Sequence, residues 1–578
     1  MNRRVSVLIL FLVLIILAAA AAVSYVFLEW GRPAATVPPH ACLEIGLSGE
    51  LREIVPPDFF RDVVLGVRPL SVHDIWMNIR KAKADDRIDA ILLRLDMLSC
   101  DWAKVSELRD AILDFRKAGK KAYAYIEEAP DFDKEYFLAT ACDRIVLHPM
   151  GWLGINGIGG YVPFFKNAFD KLGVRAEFEH VEEYKTAYNQ FTEPGFTPAH
   201  REMMESLYGD IFDQYVAAVA AARKKAPEEV RALIDRGFHQ GAGALEAGLV
   251  DDLKYEDELQ DMLRSGGGKL ARITSDEYSR ISPAAAGLGA GRKVAVIYAV
   301  GPILSGESLP GSIGGTTLAR WIRQAREDRA IAAIVLRVDS PGGSSVASDV
   351  IWREVFLAKK VKPFIVSMSD VAGSGGYWIS MAAHKIVAQP QTLTGSIGVL
   401  AGKFDLSGLY GKLGVTAERV VFGKAADVYT SFRPFSPDEK KVLKEEIRRT
   451  YEAFLEKAAQ GRNMTREEVD KVGRGRVWTG RQAQELKLVD ELGGLTKAVD
   501  LAKGLAGFAR DEEASLVVWP KKKGFWSSIL GRRTAWASAG RLPGIEDAIR
   551  MLRLVEKTRV WAVCPFVTGT NAPGFNVP

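Results

Sequence analysis

Ser374 stands in the stretch SDVAGSGGYWISMAAH, residues 369–384, between Gly373 and the pair Gly375–Gly376. PFIVSMSD before it reads as a strand, and GYWISMAAH after it as a buried helix. A serine at such a turn faces a helix N-terminus, whose unpaired N–H groups favour negative charge. The pattern suits a nucleophile, and it also suits an ordinary capped turn. A second motif upstream tips the balance. The apolar strand IVLRVD runs into SPGGSS, residues 340–345. Paired glycines after a strand let backbone N–H groups turn toward a ligand and hold a developing oxyanion. Gly343 and Gly375 are the two candidate donors, so the chemistry would be acyl transfer. The serine turn approaches a nucleophile elbow but departs from G-x-S-x-G, because Ala372 stands at the first glycine position.

A serine hydroxyl needs a base. The chain has seven histidines, and none follows His384. His384 would end the helix that Ser374 begins, about 15 Å away at helical rise. Lysine can replace histidine where desolvation favours its neutral form. Lys185, in VEEYKTAYNQF, lies among Tyr184, Tyr188 and Phe191. Its neighbours Glu182 and Glu183 would oppose that role if they sat close. Lys424, in GKAADVY, is the rival base.

These residues must be positioned by a repeated framework. IDAILLRLD from Ile88 matches IAAIVLRVD from Ile331, and YFLATACDRIVLHP from Tyr136 matches YWISMAAHKIVAQP from Tyr377. KLGVRAE from Lys171 matches KLGVTAE from Lys412, and both later pairs stand 241 positions apart. A register held so long marks an internal duplication. Short apolar runs rich in branched residues alternate with helical spacing, as at Ile351, Val355 and Phe356, so each copy reads as α/β with a parallel sheet. The copies differ in a reciprocal way. At the shared offset Ser374 faces Asp133, and Lys185 faces Ala426. Met97, Leu98, Ser99 and Cys100 replace Ser340, Pro341, Gly342 and Gly343. This reciprocal pattern is what is expected if each copy retains half of an ancestral Ser/Lys pair.

The chain has 578 residues, 48% of them hydrophobic, a net charge of +5 and four scattered cysteines. That fits a multidomain globular protein and gives no signal for nucleic acid, a metal site or a cofactor. Residues 5–28 form an uncharged apolar run, longer than a signal peptide's core and long enough to span a bilayer. Arg3 and Arg4 before it predict a cytoplasmic N-terminus, residues 1–4, with the rest across the membrane. The expected domains are residues 29–281 with the lysine, a Gly/Ala-rich linker 282–292, residues 293–505 with the serine, and a basic extension 506–578. Lys521–Arg559 holds ten Lys/Arg against three Asp/Glu, and Phe525 and Trp526 beside the cations suit a membrane surface. If serine and lysine come from different copies, the copies must face each other within one chain or around a ring.

SPGG, GSGGYW and TGSIG (residues 394–398) in one copy, with EYKTA in the other, resemble the signal peptide peptidase A family in its long, duplicated, membrane-anchored form, protease IV. The resemblance covers about residues 40–505 plus the anchor. It implies two tandem domains of the Clp-protease/crotonase superfamily after one transmembrane helix, and a serine peptidase with a Ser–Lys dyad. Ser374 would be the nucleophile, Lys185 the general base, Gly343 and Gly375 the oxyanion hole, and Ser396 a partner orienting the lysine. The substrates would be signal peptide remnants and other short hydrophobic peptides. The protein would be a homotetramer on the extracytoplasmic face of the cytoplasmic membrane, without metal, cofactor or nucleic acid. A crotonase-like acyl-CoA hydrolase and a non-catalytic membrane scaffold are the competing readings.

Overall fold

The computed structural model describes residues 36–55, 71–264, 270–289, 291–509, 512–520 and 561–563. The expected anchor at 5–28 and the basic stretch 521–559 lie outside the described residues. Among the described residues, no helix is long and apolar enough to cross a membrane.

In the first copy the chain runs β1 (Ala41–Glu50), α1 (Val72–Ala84), β2 (Ile88–Ser99), α2 (Trp102–Arg116), β3 (Lys121–Ile126), α3 (Asp133–Ala139), β4 (Arg144–Leu147), β5 (Arg175–His180), α4 (Pro198–Arg223), β6 (Asp252–Leu253) and β7 (Ala271–Thr274). Its sheet is parallel, in the order β6-β4-β3-β2-β1-β7. The second copy opens with β8 (Lys293–Val300), β9 (Ile303–Leu304), β10 (Ile313–Gly314), α5 (Gly315–Glu327), β11 (Ile331–Ser340), β12 (Gly342–Ser344), α6 (Ser345–Lys359), β13 (Phe364–Gly373) and α7 (Gly375–Ser380). It continues with β14 (Lys385–Ala388), β15 (Leu393–Gly395), β16 (Leu400–Asp405), α8 (Pro437–Arg462), β17 (Val477–Thr479), β18 (Glu491–Leu492), α9 (Leu495–Leu505) and β19 (Ser515–Trp519).

Five parallel pairings give the second sheet the order β18-β14-β13-β11-β8-β19, the same order as in the first copy. β15 and β17 extend it beside the end of β13. The long helices repeat as well. α4 and α8 each start with a capped Pro at N1 and end at a left-handed residue, Lys224 and Asn463. Ser436 and Thr197 accept the third residue's N–H, a cap worth about 1 kcal/mol. β11 and β13 are apolar and almost wholly buried, as central parallel strands are.

The boundaries interlock. Within the expected linker, Ala286 and Leu288 are buried, and Gly287 lies against the carbonyl of Ala84. β19 belongs to the second sheet, so that sheet reaches past residue 505. α9 closes the first core, where Leu495, Ala498 and Val499 pack with Val294 and Tyr298. β5 of the first copy pairs antiparallel with β16 of the second over Leu400–Asp405, which carries the segment after β5 onto the other domain. That segment contains Lys185.

Candidate active site

β13 runs to Gly373, three residues further than PFIVSMSD suggested, and delivers Ser374 directly to α7. Ser374 has φ +56° and ψ −112°, a backbone that non-glycine residues rarely adopt. Its N–H donates to Gly395 O at 2.8 Å, which pins the turn to β15. α7 ends at Ser380, earlier than expected. His384 then meets the start of β13, accepting the N–H of Phe364 at 3.1 Å on Nδ1, at the far end of the strand from Ser374.

Lys185 lies on a turn after β5 and is fully buried, as is Ser374. Its Nζ donates to Ser374 Oγ at 2.8 Å, Ser396 Oγ at 2.9 Å and Ser396 O at 3.1 Å. Ser396 also has a positive φ, +50°. The glutamates beside the lysine turn outward to arginines: Glu182 to Arg448 at 3.0 Å and Glu183 to Arg474 at 3.0 Å. Lys424, the rival base, is exposed and takes no part in this cluster.

Two glycines that sequence reasoning missed make room for the lysine. A Cβ on Gly475 would stand 2.4 Å from Lys185 N, and one on Gly398 would stand 3.1 Å from Lys185 Cδ. Gly475 N donates to Ile397 O at 2.8 Å, so the turn before β17 clamps Lys185 and the TGSIG loop together. Gly475 also has φ +83°, and a single sequence carries no signal for the close approach of distant backbone at either glycine.

Gly343 and Gly375 adjoin. A Cβ on Gly375 would come 3.0 Å from Gly343 N, and Gly343 has φ +151°. A Cβ on Gly376 would stand 2.6 Å from Ser340 O, so the start of α7 is packed onto the SPGG turn.

The corresponding place in the first copy is closed by carboxylates. Asp133 accepts the N–H groups of Asn156 at 3.2 Å and Gly157 at 3.1 Å. Glu135 accepts the N–H of Leu98 at 2.6 Å. Burial pushes the Asp133 carboxyl up to about 6, although the two backbone donors oppose it. A cavity of about 750 Å³ lined by Glu107, Lys117, Asp143 and Lys497 lies at the junction of the copies and includes none of the candidate site residues.

The model of peptidase family S49 matches residues 114–268 and 357–509. The chain is 37% identical to the chloroplastic serine protease SPPA of Arabidopsis thaliana over 80% of this chain and 71% of that protein. It is 35% identical to protease 4 of Salmonella typhi over 75% of this chain and 72% of that protein. Protease 4 of Haemophilus influenzae is 32% identical, over 77% and 74%. These matches set aside the acyl-CoA hydrolase and scaffold readings. The chain belongs to peptidase family S49 and is a serine peptidase carrying the family's domain twice.

Proposed function

We propose that the chain is a membrane-anchored endopeptidase that cuts signal peptide remnants and other short hydrophobic peptides with a Ser374–Lys185 dyad. The observation that carries this reading is the 2.8 Å contact between Lys185 Nζ and Ser374 Oγ, two buried groups from different copies. In its neutral form the lysine takes the hydroxyl proton as Ser374 Oγ attacks the peptide carbonyl. Gly343 N–H and Gly375 N–H receive the oxyanion, and the ammonium then protonates the leaving amine. Water repeats the cycle on the acyl-enzyme. Ser396 keeps Nζ aimed at Ser374 through its hydroxyl and carbonyl. The reaction uses no metal or cofactor.

Residues 5–28 anchor the protein in the cytoplasmic membrane, and Arg3 and Arg4 keep the N-terminus inside, so both domains lie on the extracytoplasmic side. The assembly is a homotetrameric ring, which would shield the sites from folded proteins. A fluorophosphonate probe tests the dyad: it should label Ser374 in the full chain and label neither Ser374→Ala nor Lys185→Ala. Labelling of Lys185→Ala at the wild-type rate would remove the lysine from the mechanism. Light scattering in detergent tests the ring; an active monomer would reject it.

A further inference from the structure

The turn before β17 stands between Lys185 and Ser396. Arg474 O accepts the N–H of Tyr184, the residue before the lysine, at 3.2 Å. Arg476 O accepts the N–H of Ser396 at 2.7 Å, and Gly475 N donates to Ile397 O at 2.8 Å. A shift of this turn therefore moves the lysine relative to the serine that aims it. The side chain of Arg476 fastens the turn to the first copy. Its guanidinium lies between two rings, 4.8 Å from the centroid of Tyr184 and 4.4 Å from that of Trp478. Its Nη1 donates to Glu202 Oε1 of α4 at 2.7 Å, and Tyr184 OH donates to the other carboxylate oxygen at 2.9 Å. Glu202 thus joins the arginine to the residue beside the lysine. Arg474 reaches Glu183 from the same turn, but its side chain is 42% exposed against 17% for Arg476.

We propose that Arg476 is a positioning residue for Lys185: clamped between Tyr184 and Trp478 and paired with Glu202, it sets the place of the turn that holds Lys185 and Ser396 together. The inference rests on the dyad reading above and extends it to a residue that acts through its neighbours. Two features separate this role from ordinary packing. Glu202 is 56% exposed, and an ion pair at such a rim adds little to stability. Arg476 Nε is buried without a hydrogen-bond partner among the described residues, a cost that stability alone does not explain. Both fit a side chain kept for where it holds the backbone.

The experiment uses the full chain in detergent. It reads kcat and KM on a short hydrophobic peptide, and the rate at which a fluorophosphonate labels Ser374. Arg476→Ala should lower kcat and the labelling rate together, about ten- to a hundredfold, with KM unchanged, because a misplaced base slows attack without touching peptide binding. Arg476→Lys keeps a cation over Trp478 without the fork and should recover part of both rates. Glu202→Gln should lower both by a smaller factor. Adding it to Arg476→Ala should cost nothing more, since the two side chains act as one unit. Arg201→Ala is the control: Arg201 stacks on Phe196 and pairs with Glu205 on the same helix, and its loss should change neither rate. Wild-type kcat and labelling in Arg476→Ala would overturn the proposal. So would a loss of kcat with labelling unchanged, which would assign the arginine to a later step. Should Arg476→Ala fail to fold, as read by urea unfolding, unchanged rates in Arg476→Lys and Glu202→Gln would overturn it equally. The dyad fails by a separate result, wild-type labelling of Lys185→Ala.

Discussion

Lys104 Nζ of the first copy lies 2.8 Å from Asp339 Oδ2 of the second, and the same ammonium is 2.9 Å from Asp370. Asp339 directly precedes the SPGG turn, and Asp370 lies on β13 shortly before Ser374. Asp370 also accepts the backbone N–H groups of Asp101 and Lys104, so the start of α2 is docked on it. Burial works against the Lys104 charge, yet Asp339 and Asp370 hold its pKa well above the ordinary lysine value. One cation of the first copy therefore ties down both strand ends that present the candidate site.

Lys104→Met should leave two buried carboxylates facing each other, a loss of about 3–5 kcal/mol by analogy with broken buried pairs. Urea unfolding measures it, and Lys104→Arg should recover much of the loss. An unchanged midpoint for Lys104→Met would mean that the copies are held together elsewhere, for example by Arg337, which pairs with Glu53 at 2.7 Å and Glu107 at 2.9 Å.

The backbone at Ser374 yields a second expectation. A non-glycine residue in a sparsely populated conformation costs about 1–3 kcal/mol. Alanine keeps that cost, and glycine removes most of it. Ser374→Ala and Ser374→Gly should both be inactive and folded, with the glycine variant more stable by about 1 kcal/mol. If alanine proves the more stable, the turn is not strained in solution.

Gly475 tests the clamp on the lysine. With φ +83° and a Cβ that would stand 2.6 Å from Lys185 Cα, Gly475→Ala must push one backbone away from the other. A shift near 1 Å at a catalytic group costs roughly a hundredfold in rate. Gly411→Ala is the control, since its Cβ would meet nothing within 4 Å. Equal kcat values for the two variants would show that Lys185 tolerates the displacement.

The parts of this protein that were legible in the sequence share a physical cause. A duplicated α/β domain repeats its buried strands, so Ile88 and Ile331 or Tyr136 and Tyr377 could be matched by pattern alone, and the reciprocal absences at Asp133 and Ala426 then stood out. Ser396 came only with the family resemblance. What was not legible depends on chain crossings. Arg337 looks like Arg94 in sequence, yet Arg337 is buried against Glu53 and Glu107, whereas Arg94 meets Glu44 and Glu256 within its own copy. Gly475 and Gly398 matter because two distant backbones touch Lys185. The strand at Trp561–Val563 follows a basic stretch whose composition suggested only a membrane surface.

The closed place in the first copy gives a prediction about pH. Asp133 replaces the serine, and burial raises its carboxyl from 3.8 to about 6. An acid whose folded pKa exceeds its unfolded pKa binds its proton more tightly in the native state. Its effect on stability is therefore neutral below about pH 4, turns unfavourable as pH rises through about 6, and stays so above that. Two units of difference correspond to about 3 kcal/mol at neutral pH. Asp133→Asn carries no charge and escapes this penalty, though it exchanges a carboxylate for a weaker acceptor of the Asn156 and Gly157 N–H groups. Asparagine does not titrate, so its own hydrogen bonds are a constant offset, and comparing pH values isolates the titration of Asp133. Measured by urea unfolding in the Ser374→Ala background, the stability of Asp133→Asn relative to its parent should improve by about 2 kcal/mol between pH 4.5 and pH 8. The same relative stability at both pH values would mean that the carboxylate of Asp133 is solvated in solution and that the first copy's site is open.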